Sequence, residues 1–86
     1  MNPSKMAVAG SLESSDVMVR VRPAEVLTLE IKSPVLEQYG EAIRQTVAEV
    51  LADRGVTAAE IELIDRGALD CTIRARLETA LERSID

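Results

Sequence analysis

The stretch DVMVRVRPAEVLTLEIKSP, residues 16–34, decides the fold of this chain. Two runs within it, residues 16–22 and 26–32, alternate between apolar and polar side chains, which is the period of a half-buried β-strand. The apolar positions that share one face are Val17, Val19, Val21, Leu27, Leu29 and Ile31. Because only residues 23–25 separate the two runs, we predict that they pair as an antiparallel hairpin.

An amphipathic helix is predicted to follow the second run. Ser33 and Pro34 are residue types that favour the start of a helix, and Gly55 favours its end. Between them, apolar side chains recur at steps of three and four residues, which places them on one helical face. These side chains are Leu36, Tyr39, Ile43, Val47, Val50 and Leu51.

The rest of the chain adds one strand and one helix. Residues 58–64, AAEIELI, alternate again and predict a third strand. The last segment is rich in strong helix formers, which favours a helix over about 69–83, with a short strand in 67–73 left open. We therefore predict an α+β fold, a two-layer β-β-α-β-α sandwich in which helices cover a small sheet. Residues 1–15 are assigned to a flexible tail that runs into a loop.

The composition limits the functions of the chain. It has 86 residues, a net charge of −5, one cysteine and no histidine. An acidic chain with Tyr39 as its single aromatic residue is poorly suited to nucleic acid, which needs a basic field and stacking surface. One cysteine indicates a reducing compartment, and no segment has the length of a signal-peptide core or a membrane span. We expect a cytoplasmic protein that binds neither nucleic acid nor membrane.

Few residues here are suited to catalysis. Without histidine there is no Ser-His-Asp or Cys-His arrangement, and one cysteine cannot build a zinc site. Cys71 is expected to pack as a small hydrophobe on or beside a buried helical face. The four candidate acid-base groups Glu13, Asp16, Asp65 and Asp70 are interpreted as solvated loop or capping carboxylates. We predict no catalytic residue and no metal site.

The serine pair before the first strand has a different potential use. Ser14 and Ser15 lie between Glu13 and Asp16. An unactivated serine hydroxyl is a poor nucleophile, so the pair cannot be a catalytic centre of this chain. An exposed hydroxyl on a flexible loop can, however, be modified by another enzyme. A plain polar loop is the alternative interpretation.

Three segments together resemble one family. They are AVAGSLESSDVMVRV (7–21), YGEAIRQTVAEVLADRGV (39–56) and DRGALDCTIRARLETAL (65–81). The chain resembles the acyl carrier subunit of citrate lyase, the gamma chain, over nearly its whole length. The patterns GxLESxD and GALDCxxRARLE are fairly specific when they occur at this separation, whereas either alone is weak.

The resemblance implies a carrier role. The serine of the ESxD pattern, Ser14, would be joined through a phosphodiester to a phosphoribosyl-dephospho-CoA group, supplied as 2'-(5''-triphosphoribosyl)-3'-dephospho-CoA by a prosthetic-group transferase. The thiol of this group would carry acetyl or citryl as a thioester. The alpha subunit would exchange acetyl for citrate, and the beta subunit would release oxaloacetate. Residues 1–15 would then be the N-terminal tail and modification loop, and residues 16–86 a single, non-catalytic acyl carrier domain in a hetero-oligomer.

Other interpretations stay open at this point. Modification at Ser15 is one, and an acyl carrier of malonate decarboxylase or of citramalate lyase is another. A protein-interaction domain without any cofactor belongs to a different class. Arg20 and Arg22, which the alternation turns outward, are expected to hold the phosphates of the cofactor or to dock a partner subunit.

Overall fold

The computed structural model describes residues 1–85, and within that range it contains four strands and two helices. In chain order they are β1 (Ala7–Gly10), β2 (Val17–Arg22), β3 (Leu27–Lys32), α1 (Leu36–Asp53), β4 (Ala59–Asp65) and α2 (Asp70–Arg83). The predicted α+β class is confirmed, with one strand more than expected. Asp86, the last residue of the predicted domain, lies outside the described residues.

The order of strands in the sheet differs from the sequence prediction. The order is β1-β2-β4-β3. β2 is antiparallel to β4, with Val19 opposite Leu63, whereas β3 runs parallel to β4 after the chain crosses over through α1. The predicted hairpin between β2 and β3 is therefore wrong, because β4 lies between them. Alternation identifies a strand and its inward face, but it does not say which strand lies alongside.

The hydrophobic core lies between the sheet and the two helices. The inward apolar residues of β2 and β4 are at most 1% exposed, and these are Val17, Val19, Val21, Ala59, Ile61 and Leu63. The helices close the core with aliphatic side chains, among them Ile43, Val47, Val50, Ile73, Leu77 and Leu81. At the sheet edge, Leu29 and Ile31 of β3 are only partly buried. The central strands and the helices thus form the rigid body of the molecule.

The first helix begins differently from the prediction. Ser33 does not cap α1, whose N-cap residue is Val35. The Ser33 hydroxyl instead accepts a hydrogen bond from the Val35 amide at 3.2 Å and donates one to the Asp65 carboxylate at 2.8 Å. Tyr39, predicted to face the core, is 58% exposed, because Gly40 and Ile43 occupy the buried positions in this part of the helix.

The second helix confirms the helical interpretation of residues 69–83, and the alternative strand in 67–73 is absent, because residues 67–69 form a bend and loop and α2 begins at Asp70. Its buried residues are Ile73, Leu77, Ala80 and Leu81. Cys71 is exposed, which corrects the prediction of a buried thiol. Cys71 precedes Ile73 by two positions, and two helical positions amount to more than half a turn. Its side chain therefore points away from the face that Ile73 buries.

The N-terminal segment was assigned to a flexible tail, and this assignment is wrong for residues 7–10. These residues form β1 and pair antiparallel with β2. Farther upstream, the Asn2 side-chain oxygen accepts hydrogen bonds from the Thr57 and Ala58 amides. The sequence AVAG has Val8 as its single β-branched residue, beside two alanines and a glycine, which is a weak strand signal, so the pairing depends on the free edge that β2 offers.

No helix within residues 1–85 combines the length and the apolar character that a membrane span requires.

A clamped serine loop and an adjoining groove

Three connections meet at one end of the sheet. Residues 11–16 join β1 to β2, residues 33–35 lead from β3 into α1, and residues 66–69 lead from β4 into α2. Because β1 and β4 are both antiparallel to β2, and β3 is parallel to β4, all three connections leave the same end. We call this the serine end, since Ser14 lies in the first connection.

Gly10 determines how the chain enters the serine loop, residues 11–16. Its φ is +88°, a left-handed conformation that side chains rarely adopt. A Cβ atom at this position would also overlap the carbonyl oxygen of Val17. Glycine is therefore required by both the backbone angle and the close approach of β2.

Asp16 organises the inside of the loop. Its carboxylate accepts hydrogen bonds from the Ser11 hydroxyl at 2.7 Å, from the Val17 amide at 2.8 Å and from Arg76 Nε at 3.1 Å. These bonds lower the pKa of Asp16 to about 2, and the bond from Ser11 makes the largest contribution. Arg76 comes from α2, so the carboxylate ties the loop to the helix layer. Of the two predicted roles, a solvated loop carboxylate is excluded, because only 17% of the Asp16 side chain is exposed, whereas its bond from the Val17 amide resembles capping.

The loop is also clamped to the β4–α2 connection through the backbone. The Ser15 amide donates to the Arg66 carbonyl at 2.8 Å, and the Arg66 amide donates to the Asp16 carbonyl at 2.9 Å. Ser15 itself has a φ of +64°. The two reciprocal bonds hold this left-handed residue and Asp16, which follows it, against Arg66. The backbone next to Ser14 is consequently fixed against a rigid neighbour.

Ser14 is the exposed tip of this clamped loop. It occupies the turn with Ser15, and its side chain is exposed. Within residues 1–85, no group forms a hydrogen bond with the Ser14 hydroxyl. Ser14, the predicted site residue, is thus accessible to solvent, and its hydroxyl makes no hydrogen bond within residues 1–85. The hydroxyl of Ser15 is likewise exposed, so accessibility alone does not separate the two serines.

The loop has no group suited to activate either serine. The sequence contains no histidine, and the Asp16 carboxylate, with its lowered pKa and three donors, is a weak base. Among residues 1–85, no cluster of three or more Cys, Asp or Glu side chains is arranged to hold a metal ion. Asp16 is therefore poorly suited to take the proton of either serine hydroxyl.

Asp65, at the end of β4, supports the neighbouring connection. It is 2% exposed, and it accepts hydrogen bonds from the Ser33 hydroxyl at 2.8 Å and from the Ala68 amide at 2.9 Å. The Gly67 amide donates at 3.2 Å to Oδ1, the carboxylate oxygen that also accepts from Ala68. We predicted a solvated loop or capping carboxylate; the structure buries this carboxylate, which bonds to the amides of the turn that follows it. The sequence signal was the aspartate two residues before a glycine, a common turn pattern.

An open groove of about 450 Å³ lies beside the clamp. Tyr39 and Ala42 of α1 line one wall, and Ala68 and Leu69 of the β4–α2 connection line the other. Tyr39 is 58% exposed and Leu69 is 71% exposed. Sequence reasoning missed this groove, because Tyr39 was assigned to the core and Leu69 to the apolar face of a helix.

Arg20 and Arg22, the predicted phosphate or docking residues, lie on the outer face of the sheet. Arg20 pairs with Glu62 at 3.2 Å, and Arg22 pairs with Glu60 at 3.7 Å. Both guanidinium groups thus have carboxylate partners on the adjacent strand. Arg66 of the clamp, by contrast, is exposed and forms no ion pair with any side chain of residues 1–85.

The chain is similar to known acyl carrier proteins over its whole length. A family model described as "ACP: Malonate decarboxylase delta subunit (MdcD)" matches residues 4–84. A citrate lyase acyl carrier protein of Haemophilus influenzae is 55% identical over 86 residues, which cover 100% of this chain and 90% of the relative. The citrate lyase acyl carrier protein of Treponema denticola is 49% identical, with 98% of this chain and 97% of the relative covered.

A solved structure shares the fold. A chain in the crystal structure of a Pseudomonas malonate decarboxylase hetero-tetramer in complex with malonate matches with a TM-score of 0.83. The match covers 95% of this chain and 87% of that chain at 22% sequence identity, so it shows a common fold. Together with the full-length relatives, these findings show that the chain belongs to the family of citrate lyase acyl carrier proteins.

Proposed function

We propose that this chain is the acyl carrier subunit of a citrate lyase and that Ser14 bears its prosthetic group. The observation that carries the proposal is the exposed Ser14 hydroxyl, free of hydrogen bonds from residues 1–85, on a loop whose backbone is clamped on the C-terminal side of Ser14. A fixed anchor with a free hydroxyl is what the attachment of a long arm requires.

The attachment step is phosphoryl transfer to the serine. The Ser14 oxygen forms a bond to the α-phosphorus of 2'-(5''-triphosphoribosyl)-3'-dephospho-CoA, and the bond between the α-phosphorus and the bridging oxygen breaks to release pyrophosphate. The hydroxyl proton goes to a base of the prosthetic-group transferase, because the serine loop offers none. The product is a phosphodiester that extends from the tip of the loop into solvent.

The carrier takes no catalytic part in citrate cleavage. The bound group supplies a thiol on which acyl groups are carried as thioesters. The residues of this chain provide an anchor, a rigid body and a surface for docking. The acid-base chemistry belongs to an alpha subunit that transfers the acyl group and a beta subunit that cleaves it, in a hetero-oligomer of the cytoplasm.

A malonate decarboxylase carrier is the second candidate. It is favoured by the description of the family model and by the fold shared with a malonate decarboxylase chain. The curated relatives at about half identity favour citrate. The two candidates need the same anchor, so the acid that the assembled complex consumes distinguishes them.

The test is to express the chain together with its transferase and a source of the donor, and to measure intact mass with peptide mapping across residues 6–20. We expect the added phosphoribosyl-dephospho-CoA mass on the wild type and on Ser15→Ala, and the bare mass on Ser14→Ala. A loaded Ser14→Ala variant would refute the site. A bare wild type beside a transferase that is active on a known carrier would refute the carrier role.

The loaded chain is then mixed with purified alpha and beta subunits. Formation of oxaloacetate from citrate, absent with the bare chain, is the expected result. Consumption of malonate by malonate decarboxylase subunits, without citrate cleavage, would favour the second candidate.

A further inference from the structure

We propose that the groove between Tyr39 and Leu69, together with Arg66, which directly precedes the groove residue Gly67, is the docking surface for the transferase that modifies Ser14. This inference rests on the proposed function, because it names the partner that acts at the same site. It goes further by assigning a surface and the chemistry of its occupant.

The groove adjoins the serine loop through the β4–α2 connection. Arg66 forms two backbone hydrogen bonds with residues 15 and 16, and Gly67, which follows it, lines the groove. The groove and the modified hydroxyl are therefore held on one rigid unit. An enzyme that transfers a group directly to Ser14 must bring its active site to this hydroxyl. The surface of the enzyme must therefore contact the residues beside the serine loop.

The side chains that line the groove are of types that bind other proteins. Tyr39 and Leu69 are large side chains left 58% and 71% exposed on opposite walls of one groove. Exposed tyrosine and leucine around a concavity are typical of surfaces that receive an apolar projection of a partner. On a chain of net charge −5, Arg66 adds a cation with no carboxylate partner in residues 1–85. The surface therefore fits an apolar projection flanked by a carboxylate.

The transferase differs from the other partners in how close it must come to the serine loop. Subunits that act at the far end of a long arm need to lie only within its reach. The transferase has no such freedom, since it must contact the serine loop itself. Occupation of the groove by the arm or by the lyase subunits is therefore a distinct outcome that the experiment has to detect.

The test measures loading of the bare chain by purified transferase, with intact mass as the readout. Leu69→Ser removes the apolar side chain and places a favoured residue at the N-cap of α2, so the fold is not weakened. Tyr39→Ala and Arg66→Glu complete the set. We expect each variant to lower kcat/KM by about tenfold or more, mainly through KM.

Matched controls come from exposed positions that do not line the groove. Leu27→Ala removes a leucine that is 45% exposed at the start of β3, and Arg44→Glu reverses an exposed arginine on α1. Both controls should load within about twofold of the wild type. Groove variants that load as fast as these controls would overturn the proposal.

A binding measurement identifies the occupant. The Ser14→Ala chain cannot be loaded, so it should bind the transferase and inhibit loading of the wild type competitively. Adding Leu69→Ser or Arg66→Glu to this chain should weaken the inhibition by about tenfold. An equal loss of affinity for the alpha or beta subunit would overturn the assignment to the transferase. A wild type that is never loaded would refute the proposed function, and this inference with it.

Discussion

The two ends of the sheet are both held by polar contacts between distant parts of the sequence, yet they serve different purposes. At the end away from Ser14, Asn2 bonds to Thr57 and Ala58 and closes the N-terminal segment onto the body. At the serine end, Asp16 accepts four hydrogen bonds and Asp65 accepts three, and the serine loop presents a hydroxyl without a hydrogen bond in residues 1–85. The backbone of a loop can thus be held in place while a hydroxyl at its tip makes no hydrogen bond within residues 1–85.

The largest expected effect comes from Gly10→Ala, which should break the serine end. Its new Cβ overlaps the Val17 carbonyl oxygen in a backbone with a φ of +88°. We expect a loss of about 3 kcal/mol or more in the free energy of unfolding, measured by urea denaturation. Gly67→Ala is the matched control, because its φ is +87° but nothing lies within 4 Å of the added carbon. It should cost only about 1 kcal/mol, and equal losses would contradict the clash.

The next effect compares the two ends directly. Asp65→Ala removes a buried acceptor and leaves the Ser33 hydroxyl and two amides without their partner, so we expect a loss of about 2–3 kcal/mol in unfolding free energy. Asn2→Ala removes exposed hydrogen bonds at the other end, where water can replace the lost acceptor, and should cost about 1 kcal/mol or less. A larger loss for Asn2→Ala would reverse the comparison.

Asp16 makes a prediction about pH. Its pKa in the folded chain, about 2, lies below the ordinary value of 3.8, so the ionised carboxylate stabilises the fold above about pH 4. This contribution is lost as the pH falls from about 4 through 2. Asp16→Asn should therefore lower the urea midpoint at pH 6, and the gap to the wild type should narrow towards pH 2. Glu13→Gln, whose carboxylate makes no hydrogen bond within residues 1–85, is the control. A gap that is constant from pH 6 to pH 2 would contradict the assignment.

The smallest effect is expected on the outer face of the sheet. Arg22 and Glu60 are 3.7 Å apart, and their side chains are 49% and 55% exposed. Exposed pairs of this kind contribute little, so Arg22→Gln should change the unfolding free energy by no more than about 0.5 kcal/mol. It should also leave the rate of loading by the transferase unchanged. A marked loss of loading would restore the role that the alternation pattern suggested for this arginine.

The sequence predicted some features of the candidate site and missed others. The resemblance assigned the modification site to Ser14; the structure shows that Ser14 is exposed, and its modification stays a prediction. The clamp through Arg66 was missed, because two backbone hydrogen bonds join positions about fifty residues apart and leave no trace in residue types. Cys71 and Tyr39 were both assigned to buried faces, because an apolar period locates a helical face only to within about one residue.

The sequence by itself determined the strands with period two, the two helices, the lack of a histidine base and the resemblance to an acyl carrier, since each depends on residue types at short separations. Only the tertiary structure decided that β4 lies between β2 and β3, that residues 7–10 form a strand and that Arg66 abuts the serine loop. The physical reason is that strand order and loop contacts depend on which surfaces meet in space. An alternating run is compatible with any neighbour that covers its apolar face and satisfies its backbone.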